Sequence, residues 1–242
     1  MNVDTLISVG YYVSSVGFLV ATVVAVLAAG SFGKSALGSI FSYLFIGTGI
    51  FFAITIFQTL GSDFFMISDE SMDIWWHLMF YLALISYYLG FKALVNLASG
   101  GGEDQGKSIG AEKKWGIFSL VVLVVIFIIP SYTEPTILKY LASPLAQLGL
   151  HHFLAFILAG VVGSYLLSVK KNIGQIGRAI ANPMIVAIWA LSIQHFWELL
   201  AESWRVVSAA SEQIEGVEKI FLTLAAICII YAVVRLKSAA KA

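Results

Sequence analysis

The sequence predicts an all-α fold: an integral membrane bundle of seven transmembrane helices, N-terminus outside and C-terminus cytoplasmic. It forms a single transmembrane domain over residues 1–242. Three observations carry this reading. The chain is 60% hydrophobic and only 12% charged, whereas soluble domains run near a quarter charged. Apolar runs close to the roughly 20 residues needed to cross a hydrocarbon core recur seven times. The basic residues are also unevenly divided between the two ends of those runs.

In lipid each run must be helical, because the backbone finds no water there. The first, 6–29, follows MNVDTLISVG, which carries an acid and no Lys or Arg; it reads as a retained helix rather than a secretory signal. The second, 36–60, is separated from it by the short basic turn GSFGKS. The third, 74–98, opens after the acidic stretch DESMD. The fourth, 114–131, is the shortest; beyond it TILKYLASPLAQLGL (136–150) reads as a short interfacial helix interrupted by Pro144. The fifth, 150–169, begins on His151-His152 and ends at Lys170-Lys171. The sixth, 182–204, closes on SIQHFWELLAESW, and the seventh, 217–236, on RLKSAAKA. The longest polar stretches, 99–114 and 205–216, are loop-sized, so no separate soluble domain is expected. The lone Cys228 excludes an internal disulfide and reads as a small buried hydrophobe.

Seven crossings put the termini on opposite sides. The face of the C-terminus then holds Lys34, Lys92, Lys107, Lys113, Lys114, Lys170, Lys171, Arg178, Arg235, Lys237 and Lys241, which is 11 of the 14 Lys and Arg residues. The acids show the reverse split. The positive-inside rule assigns the basic face to the cytoplasm and the chain to the cell membrane. Runs one to three and five to seven also echo each other, each with a basic turn after its first helix and an acidic connection after its second. That is the pattern of a three-plus-one-plus-three parallel repeat.

The chain has 4 histidines, and this topology gathers all of them in the outer half of the membrane. His77 lies near the start of the third run, His151 and His152 open the fifth, and His195 lies near the end of the sixth. Steps of about 100° per residue put His195, Glu198 and Glu202 on one narrow stripe. Asp73 and His77, at i and i+4, share a face of the third run. An ionisable group at that depth is costly unless it faces the bundle interior and is paired. The stripe is therefore expected to point inward.

Imidazoles and carboxylates from facing helices are the ligands of zinc, copper and iron. The candidate metal ligands are Asp73, His77, His151, His152, His195, Glu198 and Glu202. The reading that follows is a multi-pass protein with a His/carboxylate metal site at the extracytoplasmic end, a redox or hydrolytic subunit of a membrane complex or a homo-oligomer. Glu198 or Glu202 would be its proton-transferring carboxylate. The first alternative is a haem b electron carrier working with quinone, with His77 and His195 as axial ligands. The second is a transporter or accessory subunit whose polar cluster is structural. Partners are the bilayer and other membrane subunits; nothing points to nucleic acid. A retinal Schiff base is excluded, since the middle of the last run, TLAAICIIYAV, has no lysine.

Overall fold

The computed structural model describes residues 3–65, 69–98, 149–208 and 210–239. They form α1 (Val3–Phe32), α2 (Ala36–Phe65), α3 (Asp69–Ala98), α4 (Leu150–Val169), α5 (Gly174–Glu198) and α6 (Ser211–Ala239). A π turn, Leu199–Ser203, extends α5. All six helices are long and apolar enough to cross a membrane. They run several residues beyond most of the predicted limits, because polar residues at a span end lengthen the helix without lengthening the apolar stretch. The predicted run 114–131, and all but the last two residues of 136–150, lie outside the described residues.

The helices close into a ring in chain order, with α1 packed on both α2 and α6. Helices adjacent in sequence are antiparallel along α1–α2–α3 and along α4–α5–α6. The two seams that join these triplets are instead like-directed. His77 meets His152 while Tyr88 meets Tyr165 further along α3 and α4. Ser14 pairs with Thr223, and Gly17 faces Ala226 one turn on along α1 and α6. Two triplets with the same sequence of directions, meeting at two like-directed seams, are what a parallel repeat produces.

One consequence follows for charge. Lys34, Lys92, Lys170, Lys171, Arg178, Arg235 and Lys237 all fall at the end of the bundle where α1, α3, α4 and α6 finish. The histidines fall at the other end. A second consequence concerns connection: the chain leaves α3 at the basic end and begins α4 at the histidine end.

Small residues and aromatics make the packing. Phe18 of α1 stacks on Phe51 of α2 with ring centroids 4.9 Å apart, and Phe51 meets Phe80 of α3 edge-on at 5.9 Å. Gly47 of α2 lies against the Tyr87 ring of α3; a Cβ there would sit 2.6 Å from that ring. Close backbone approach over small residues is the usual way apolar helices associate in lipid. Facing outward, Val16, Leu27, Val161, Ile220 and Ile227 are each more than half exposed, which suits a surface wetted by acyl chains.

Replacing Gly47 by Val should destabilise the bundle by about 1–3 kcal/mol through overpacking against Tyr87. Gly30, with nothing within 4 Å of its missing Cβ, should accept Ala at no cost. Thermal unfolding midpoints in detergent check both, and equal midpoints for the two variants would contradict the packing described.

Candidate metal centre

Three helix ends meet at the histidine end: α3 and α4 begin where α5 finishes. α3 contributes His77, α4 His152 in its first turn, and α5 both His195 and Glu198. All four side chains are buried, His195 completely. Glu198 Oε2 lies 2.6 Å from His195 Nδ1 and 2.9 Å from His152 Nδ1. His77 Nε2 lies 3.2 Å from the same His152 nitrogen. One ligand atom from each of the four residues falls within 4.8 Å of the other three.

Hydrogen bonding alone serves this arrangement poorly. A ring nitrogen carries at most one proton, so His152 Nδ1 satisfies Glu198 or splits that proton between Glu198 and His77. A cation among the four atoms needs no such sharing, and imidazole with carboxylate is the donor set of zinc and its neighbours. Aromatic walls confine the His195 ring: Phe80 at 4.4 Å and Trp76 at 5.0 Å between centroids, both edge-on.

The remaining predicted ligands are arranged around this core. His151 is half-buried, its ring 4.6 Å from that of His77 and 4.0 Å from that of His152. Its carbonyl accepts a 2.9 Å bond from Tyr81 Oη. Asp73 lies on α3 one turn before His77, with its side chain outside the described set. Glu202 departs from expectation. The inward stripe would bury it together with Glu198, yet its side chain is 46% exposed and its carboxylate is 3.8 Å from His152 Nε2, on the rim. The π turn that starts at Leu199 is the reason. A π turn takes one more residue per turn than an α turn, which rotates Glu202 off the line of His195 and Glu198.

Gly149 sets the register of α4 against this turn. It caps α4 in a left-handed conformation, φ 64°, and its missing Cβ would fall on Ser203 and Leu199 of the π turn. A residue with a side chain would have to move α4, and with it His152, away from Glu198.

Two features went unread in the sequence. Gln194 Nε2 donates a 2.9 Å hydrogen bond to Glu198 Oε1. Its spacing of i,i+4 to Glu198 was the available signal. The second is a buried charged group on the α1–α6 seam. Lys219 Nζ lies 3.8 Å above the Tyr11 ring and 3.6 Å from Glu218 Oε2. Lys219 and Glu218 are 6% and 7% exposed.

Comparison with protein-family models, with curated proteins and with solved structures finds no match to this chain.

Gly149→Ala should cost about 1–2 kcal/mol from the left-handed backbone alone, with more from the clash on the π turn. The measurement is the unfolding midpoint compared with Gly30→Ala. A Gly149→Ala protein as stable as Gly30→Ala would show that α4 is not pinned at this point.

Proposed function

We propose that this chain is a multi-pass protein of the cell membrane that holds a divalent transition-metal ion through His77, His152, His195 and Glu198 at the extracytoplasmic end of its bundle. The observation that carries the reading is the convergence, within 4.8 Å, of four buried ligand atoms from three helices. Separated in sequence, these residues meet only because the helix directions bring them together, and a dry site concentrates their affinity for a cation.

The four donors describe a closed, ion-holding site. Chemistry at the ion needs one donor to yield, and Glu198 is the carboxylate of the four. On release it would open a position for water or oxygen and stand beside it as a base, the requirement for a hydrolytic or redox subunit. Glu202 and His151, on the exposed side of the core, are placed to pass ions or protons inward. A haem between His77 and His195 is the weaker reading. Glu198 and His152 lie against those rings, in the space a macrocycle would occupy.

The topology belongs to the same proposal. Because the chain leaves α3 at one end of the bundle and enters α4 at the other, the connection must return across the bundle's length. The run 114–131 is the apolar stretch able to do so as a seventh crossing. The N-terminus and the metal centre are then extracytoplasmic, and the basic end is cytoplasmic.

Two experiments test these statements. Purified with zinc supplied during expression, the wild type should retain stoichiometric metal after dialysis, and His195→Ala should retain none. Glu215→Ala, an exposed acid of α6, should match the wild type. Full retention by His195→Ala would remove the metal centre. For topology, in a Cys228→Ser background, Ser208→Cys should react with a membrane-impermeant thiol reagent on intact cells. Asn172→Cys, in the basic α4–α5 turn, should react only after the cells are opened; the opposite pattern would invert the orientation.

A further inference from the structure

Gln194 and Glu198 lie one turn apart on α5, and they divide the Glu198 carboxylate between two tasks. Oε1 accepts the 2.9 Å hydrogen bond from Gln194 Nε2. Oε2 faces the Nδ1 atoms of His195 and His152 at 2.6 and 2.9 Å. We infer that Gln194 is a positioning residue that restricts Glu198 to one-oxygen coordination, making the centre a four-coordinate N₃O site matched to zinc-like tetrahedral ions. This inference rests on the metal centre proposed above and adds the class of ion and the residue that selects it.

The sense of the Gln194 amide is set by its partner. With the amide reversed, its carbonyl oxygen would face the carboxylate oxygen, two acceptors with no proton between them. In the orientation found, Gln194 Oε1 is buried without a hydrogen-bond partner. Such an orphan in a completely dry position is destabilising. The chain tolerates it at a side chain that is 2% exposed, in the turn before Glu198. An apolar residue would fill the same volume with no orphan. The hydrogen bond to Oε1 is what the amide gives in return.

The consequence for the ion follows from donor count. A carboxylate with both oxygens free can chelate, raising a four-donor site to five contacts, as the higher-coordinate calcium, manganese and iron(II) sites allow. With Oε1 occupied by Gln194, the protein offers three ring nitrogens and one oxygen. All four residues are more than nine-tenths buried. Zinc(II) and cobalt(II) accept four donors in a tetrahedral array. Magnesium and calcium require oxygen-rich, higher coordination, and copper(II) favours a tetragonal array. The donor set, three nitrogens and one oxygen, selects the first pair.

The test uses the purified full chain in detergent, loaded with cobalt(II) alone and, separately, with zinc(II) alone. Wild-type protein with cobalt should show the intense visible ligand-field bands of a tetrahedral N₃O site. Gln194→Met, close to the glutamine in length and without its amide, should fold, keep metal, and show weaker bands typical of higher coordination. Its zinc affinity should fall by about 10- to 100-fold, the usual effect of removing an outer hydrogen bond to a metal ligand. Gln58→Met removes a different orphaned amide, on α2, and should leave the spectrum and the affinity at wild-type values. A Gln194→Met protein with the wild-type cobalt spectrum and zinc affinity overturns the inference and leaves the centre standing. Higher-coordinate bands in the wild type overturn it as well. A wild type that binds neither metal overturns the centre and this inference with it.

Discussion

The structure turns on one buried carboxylate. Glu198 sits 7% exposed at the end of a membrane-spanning helix, where an uncompensated charge costs several kcal/mol. Three neighbours meet it: Gln194 on one oxygen, His195 and His152 on the other. Two of them come from its own helix and follow from local spacing. The third comes from α4, so the pairing of α4 with α5 and the like-directed seam with α3 are tied to the electrostatics of a single side chain. Gly149, wedged against the π turn, is where that constraint reaches the backbone.

The other like-directed seam has the same character. Where α1 meets α6, at the same end of the bundle, Tyr11, Lys219 and Glu218 form a second buried polar group. Gly10 makes it possible, since a Cβ there would lie 2.8 Å from the Lys219 Cβ. Rings and small residues hold α1 to α2 and α2 to α3, and polar contacts tie both like-directed seams and the α4–α5 pair.

Most of the fold was legible because lipid leaves so few choices: six of the predicted runs correspond to six described helices, each near its expected place. Helix direction puts His77, the His151-His152 pair, His195 and Glu198 at one depth, and spacing suffices to read that much; that α3, α4 and α5 are neighbours is set by their packing. Other details depend on things that spacing does not encode. Whether His151 or His152 faces inward turns on where α4 begins, and a shift of one residue rotates the answer by about 100°. Glu202 left the stripe because of a π turn, a local change of period invisible to an α-helical wheel. The burial of Lys219 and Glu218 depends on Gly10 and Tyr11, more than 200 positions away in the chain. Gln194 was overlooked because an amide carries no charge to draw notice, although its partner one turn on was already marked.

The central claim is that one ion sits among three imidazoles and one carboxylate oxygen. X-ray absorption at the zinc edge of the purified, zinc-loaded chain tests it most directly. The account predicts a single shell of four nitrogen or oxygen neighbours at about 2.0–2.1 Å, with the outer-shell scattering of three imidazole rings. A shell of six oxygens, sulfur neighbours, or scattering from fewer than two imidazoles would contradict it.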